Sequence, residues 1–247
     1  MKVAVLISGL CHSKAPQTNV KRNIERIRRF FPSSDFFFAT YTQFKDTFEE
    51  NFPEEKCLFV DEPKIDYHPY SIDKQHWESN RYLETKQFIM RSPERTKWAG
   101  HHTKQHLIHS YLCDTIDIKQ YDVIVRARFD TWIWDKADFS PFIKSTHTNQ
   151  TINAFAATKW QKHFEDIREF DSKPGGRHHN WLLDQLIIYP SSFLDTSYVY
   201  KLHEEKRLHP AEMGWYQILS RPNGSKHKCW DGWVNHDKHI LTKYFKG

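Results

Sequence analysis

The chain has 247 residues, a length that suits one α/β domain of the larger kind. Apolar residues make up only 38%, but aromatic residues reach 15%, and their large buried area still permits a sizeable core. The 36 basic and 31 acidic residues interleave to a formal charge of +5, which argues against a general nucleic-acid binder and is compatible with a local basic pocket for a small anion.

Residues 2–8 (KVAVLIS) form an apolar run without a small-residue cleavage site after it, so they read as a buried first strand, ended by Gly9, and not as a signal peptide. Val20, Ile24, Ile27 and Phe31 recur at helical spacing over 17–31, and Pro32 with two serines stops that helix. DFFFATY at 35–41 is the second strand. Strand, helix and strand in this order make a βαβ unit and predict a parallel sheet. CLFV at 57–60 is a third strand, 61–79 a loop, 80–92 a helix, and 101–118 another helix carrying Leu107, Ile108, Tyr111, Leu112 and Ile116. YDVIVRAR follows as the next strand. Beyond it, 151–157 and 185–189 read as strands, 173–180 as a flexible loop, 191–205 as a helix starting near Ser191 or Ser192, and 210–221 as a short helix. The tail, 222–247, is rich in Lys, His and Trp and shows little periodicity. No interdomain linker or repeat interrupts the chain. No segment approaches the roughly 18 apolar residues of a membrane span. The four cysteines, Cys11, Cys57, Cys113 and Cys229, form no CxxC pair, which argues against a Cys-based zinc site and suits a reducing, cytoplasmic compartment.

The stretch YDVIVRARFDTWIW, residues 121–134, concentrates the chemistry. Val123, Ile124 and Val125 suit a strand covered on both faces, yet Arg126, Arg128 and Asp130 arrive at its carboxyl end. Charges there are costly unless they meet something charged. In open α/β sheets ligands lie outside the carboxyl ends of strands. A carboxylate such as Asp130 can hold a divalent cation that in turn binds a diphosphate. Two-residue alternation puts Arg126 and Arg128 on one side, where they can neutralise phosphate or fix Asp130. A structural Arg–Asp pair at a sheet edge accounts for the same residues without any ligand.

YDVIVRARFDTWI resembles the YD-x-V-I-x-x-R-x-D stretch of a broad group of glycosyltransferase-like proteins found in polysaccharide and lipopolysaccharide synthesis loci and in large DNA viruses and phages. VAVLISGLCHS resembles that group's opening strand, DFFFATY its second strand, LLDQLIIYPSSFLDTSYVYKL its DQ segment and following helix, and HPAEMGWYQIL its late helix. The resemblance covers most of residues 2–221 in the expected order. It implies a GT-A-type fold: one mostly parallel, Rossmann-like α/β domain over 1–247, with a nucleotide-binding half at about 1–135 and an acceptor half and tail at about 136–247. It implies a nucleotide-diphosphate sugar as donor, a glycan or glycoconjugate hydroxyl as acceptor, and Mn²⁺ or Mg²⁺ held on the diphosphate by an Asp-x-Asp motif, here through Asp130.

On the same resemblance, Ser8, Gly9, His12, Arg126, Arg128, Asp130 and Gln185 bind the nucleotide sugar, and Asp184 is the base that takes the acceptor's proton. A similar Asp–Gln pair positions the sugar in retaining enzymes, so an inverting displacement is expected and retention stays open. Glu212 and Trp181 are acceptor candidates, although Glu212 also suits the first turn of a helix for reasons of dipole alone. His236 and His239 are three apart, so one helical turn would put both on one face, and His236 is the candidate second metal ligand beside Asp130. The chain departs from the pattern twice: Arg128 stands where the first Asp of the motif belongs, and His12 where arginine is usual. A non-catalytic nucleotide- or carbohydrate-binding module of the same fold is the alternative.

Overall fold

The computed structural model describes residues 1–12, 19–65, 93–133, 135–157, 184–206, 214–215, 218–219 and 233–240. Seven strands form one sheet: β1 (Val3–Ser8), β2 (Asp35–Tyr41), β3 (Cys57–Val60), β4 (Val123–Ala127), β5 (Ile152–Ala157), β6 (Leu186–Pro190) and β7 (Trp233–Ile240). Their order across the sheet is β3-β2-β1-β4-β6-β5-β7. β1 pairs in parallel with β2 and β4, and β2 with β3. β6 is antiparallel to both β4 and β5, while β5 and β7 are parallel. Only β6 therefore runs against the other six, and the mostly parallel α/β arrangement expected from the sequence is the one observed.

This topology positions the site. The chain leaves β1 towards β2 and β3 on one side and returns to β4 on the other, so the crevice between the carboxyl ends of β1 and β4 is a topological switch point. Because β6 is reversed, its amino end meets the carboxyl end of β4, with Leu186 opposite Ala127. Asp184 and Gln185 thus reach the same edge as Gly9 and Arg128.

Both sheet faces are covered, which is why β1 and β4 are buried at every position. On one face lie α1 (Val20–Phe30), α2 (Lys45–Asn51) and α4 (Ser140–Asn149), packing Ile24, Ile27, Phe48 and Phe139 against Val5, Ile7 and Val125. The Asn19 side chain caps α1 by accepting from the Arg22 amide at 3.0 Å, and Arg28 and Arg29 suit the negative end of its dipole. The other face carries α3 (Pro93–Ile116) and α5 (Thr196–Glu204), with Leu107, Ile108, Leu112, Val199 and Leu202 over Leu6, Ile124 and Ile187.

Several expectations change. The helix expected at 101–118 begins at Pro93 and ends at Ile116, just before Asp117 turns into the left-handed region at φ 51°. The helix expected from Ser191 begins at Thr196, because Asp195 provides the cap, accepting from the amides of Ser197 and Tyr198. Ser191 instead starts a 3-10 turn, and its hydroxyl donates to the Tyr121 carbonyl. α2 and α4 are additional; each is short, with Phe48 and the pair Phe142–Ile143 as its anchors. The tail contains β7, so His236 and His239 lie on a strand and the one-turn helical spacing does not apply to them. The helix expected at 80–92, the loop at 173–180 and most of 61–79 and 210–221 lie outside the described residues.

Candidate functional site

Alternation along β4 sends Val123, Val125 and Ala127 to the aromatic face and Ile124 and Arg126 to the α3 face. Arg126 is fully buried. Its Nη1 donates to the Asp184 carbonyl, its Nη2 donates to Gln105 Oε1 at 2.8 Å, and its guanidinium carbon sits 4.6 Å from the centre of the Trp215 ring. Burial lowers its pKa to about 10, with the Asp184 charge opposing the shift, so it remains a cation at neutral pH. Among the described residues no carboxylate is in salt-bridge contact with this buried guanidinium, and its charge acts where the dielectric is low.

Arg128 lies where β4 gives way to the loop. Its Nε and Nη2 donate to the two oxygens of Asp130 at 2.8 and 2.6 Å, and its Nη1 donates to Asp184 Oδ2 at 3.3 Å. One guanidinium therefore bridges the two carboxylates singled out in the sequence. The three are graded in exposure: the Asp130 side chain is 43% exposed, Arg128 21% and Asp184 10%. Thr131, not anticipated from the sequence, holds this corner. Its hydroxyl accepts from the Arg128 amide at 3.0 Å and donates to the Gln185 carbonyl at 2.9 Å. Gln185 is itself buried.

Across the crevice, Gly9 takes φ +126°, a conformation side chains disfavour, as the chain turns out of β1. Thr40 pins that turn: its hydroxyl donates to the Gly9 carbonyl at 2.8 Å and accepts from the Cys11 amide at 3.3 Å. Cys11 is buried and its thiol is pushed up to about 12 by desolvation, so it is not a nucleophile. His12 is half-buried beside Phe44, with ring centres 6.1 Å apart. Ser8 points inward: its hydroxyl lies 3.4 Å from His109 Nδ1, whose Nε2 is 2.7 Å from the Tyr189 hydroxyl. Burial, with the Arg126 charge adding to it, drives His109 well below its ordinary pKa, so it is neutral. Gln105, His106, His109 and Trp215 were missed at the sequence level. The signal available was polar residues at 105, 106 and 109, spaced to fall on the apolar face of α3.

The structure thus gathers Ser8, Gly9, Arg126, Arg128, Asp130, Asp184 and Gln185 at one sheet edge. Trp181 and Glu212 lie outside the described residues, and of His236 only the strand position is described. That position pairs with Phe155 on β5. Three ladder spacings of about 4.8 Å separate β7 from β4, on the order of 14 Å along the sheet. Trp132, a possible sugar platform by its place near Asp130, stacks instead on Arg22 and Arg26 of α1 at 4.7 and 4.5 Å.

The expected metal fits these residues poorly. Both oxygens of Asp130 accept N–H bonds from Arg128, and an ion between Asp130 and Asp184 would lie against the guanidinium that bridges them. Among the described residues no group of three or more His, Cys, Asp or Glu side chains could hold a metal ion.

No protein-family model matches the chain, and no curated protein matches it in sequence. Solved structures similar to it include a glycosyltransferase involved in the glycosylation of the major capsid of PBCV-1, at TM-score 0.45 and 12% identity, covering 96% of this chain and 82% of that one. Another is the mannosyltransferase Ktr4p from S. cerevisiae in complex with GDP, at TM-score 0.49 and 10% identity. It covers 90% of this chain, which spans just under two thirds, 66%, of that enzyme. A third is 4-diphosphocytidyl-2C-methyl-D-erythritol synthase from Anaerococcus prevotii, at TM-score 0.42 and 7% identity over 96% of this chain and 90% of that one. These are loose likenesses of chain path among proteins with different reactions. Among the described residues no helix is long and apolar enough to cross a membrane.

Proposed function

We propose that this chain is a glycosyltransferase that moves a sugar from a nucleotide-diphosphate sugar to a glycan hydroxyl. The observation that supports the reading is the convergence of Arg126, Arg128, Asp130 and Asp184 at the switch point between β1 and β4. Backbone at Gly9 lets a nucleotide approach β1 closely, Gly9 and His12 line its entry, and Ser8 supports that turn from beneath. Arg126 and Arg128 stabilise the charge that develops on the departing diphosphate. Asp184 is the base. As the acceptor oxygen bonds to the anomeric carbon and the bond to the diphosphate oxygen breaks, Asp184 takes the hydroxyl proton. Its low exposure and its contact with Arg128 hold it in one orientation beside the leaving group. A single displacement of this kind inverts the anomeric centre. Gln185 positions the sugar, and Glu212 and Trp181 contact the acceptor. None of these roles passes through a metal ion.

The test combines binding and turnover. Thermal stability is measured with UDP, GDP, dTDP and CMP. One of them, at about a hundred times its Kd, should add roughly 2.7 kcal/mol. The matching nucleotide sugar should then be consumed in the presence of glycan acceptors, and Asp184→Asn should abolish transfer while keeping the thermal shift. Stabilisation without any turnover would leave a binding module of the same fold. No stabilisation by any nucleotide would overturn the reading.

A further inference from the structure

We propose, building on the reading above, that Arg128 occupies the place of a divalent cation, so that this site binds its nucleoside diphosphate through a guanidinium and needs no metal to do so. Arg128 grips both oxygens of Asp130 and reaches Asp184 with its remaining nitrogen. A metal ion needs carboxylate oxygens at about 2.1 Å with lone pairs turned towards it. Here one lone pair on each Asp130 oxygen accepts an N–H bond from Arg128, and a divalent ion placed beside them would face a fixed positive charge within a few ångströms.

Charge arithmetic points the same way. Arg126 and Arg128 supply two positive charges, Asp130 and Asp184 two negative ones, and His109 is neutral. Among the described residues these charges balance, and opening one pair frees a guanidinium for an anion. The pair that can open is Arg128–Asp130. A phosphate presents the same two-oxygen edge to a guanidinium fork as a carboxylate does, so one bidentate partner replaces another. Asp130 is the most exposed member, and an exposed ion pair is weak, so water receives the released carboxylate at small cost. Asp184 is nearly buried and keeps its hold on Nη1, so Arg128 stays aimed through the exchange. Arg126, buried behind it, supplies a second charge where the dielectric is low. Asp130 is then a positioning residue that parks the fork in the empty site, and it is displaced when the diphosphate binds.

The experiment is calorimetric titration of the whole chain with the nucleoside diphosphate that stabilises it, in EDTA and in Mn²⁺. Wild-type Kd should agree within about twofold between the two. Arg128→Ala should weaken binding at least about tenfold in both, with an unchanged circular dichroism spectrum. Asp130→Asn should bind in EDTA as tightly as wild type or tighter, because it removes the competing carboxylate, whereas a metal ligand's loss would weaken binding. Arg128→Asp should bind only when Mn²⁺ is present. Wild-type binding confined to Mn²⁺, or loss of binding in Asp130→Asn, would overturn this inference and leave the glycosyltransferase reading standing. Absence of binding by any nucleoside diphosphate under either condition would overturn both.

Discussion

The two faces of the sheet are built on different principles. The face under α1, α2 and α4 is packed with rings: Phe38, Phe48, Phe52 and Phe129 stack or meet edge to face at centroid distances of 5.1 to 6.4 Å. The face under α3 and α5 has an apolar rim of Leu107, Leu112, Val199 and Leu202 but buries Arg126, His106, His109 and Tyr189 at its centre. Such groups are expensive inside a protein, and each needs partners. They lie directly beneath the crevice where the two carboxylates and Arg128 converge. One face holds the fold together; the other holds the site in shape.

This contrast can be broken from either side. Phe48→Ala on the ring face should produce the largest effect on stability, a loss of about 3–5 kcal/mol in denaturant unfolding, while nucleotide Kd stays within about twofold. If that variant lost binding while still folded, the division of labour between the faces would be wrong. Arg126→Met removes a buried cation and keeps much of its volume. Its nucleotide affinity should fall by about 2–5 kcal/mol, measured by titration, with a smaller change in unfolding stability. His109→Phe removes the hydrogen bond between the imidazole and the Tyr189 hydroxyl and should cost about 1–3 kcal/mol. Asn19→Ala, at the start of α1, should cost only about 1 kcal/mol through loss of the α1 cap.

His109 also sharpens the comparison through pH. Its folded pKa lies below its unfolded value, so between the two the unfolded chain binds a proton that the folded chain refuses. Its contribution to stability is therefore intact above about pH 6.5 and is lost as pH falls below that, at up to about 1.4 kcal/mol per unit. His109→Gln, compared with wild type in unfolding titrations between about pH 5 and 7, should reduce the slope by close to one proton. An unchanged slope would mean that His109 is protonated in the folded protein.

Much of this was legible in the residues. The strands at β1, β2, β3, β4, β5 and β6 announced themselves because each is an apolar or β-branched run bounded by turn residues, and α1 by its clean apolar spacing. Arg126, Arg128 and Asp130 stood out because charge at the end of a buried strand is costly, and Asp184 and Gln185 because their segment resembles the DQ segment of the glycosyltransferase-like group. The polar centre of α3 did not stand out, since histidines are plentiful along the chain and only packing shows which are dry. β7 escaped because its sequence, WVNHDKHI, lacks apolar alternation; its place in the sheet comes from pairing with β5.

What the sequence by itself determined was local: where the chain extends, where it coils, and which strand ends carry charge. Those follow from side-chain period and from the cost of burying ions. The reversal of β6 was decided only in the tertiary structure. It brings Asp184 from 56 positions away in the chain to the nitrogen of Arg128 that Asp130 leaves open, while Asp130 takes the other side of the same fork. No local pattern encodes that meeting, because strand direction and register are set by the whole sheet closing over two cores.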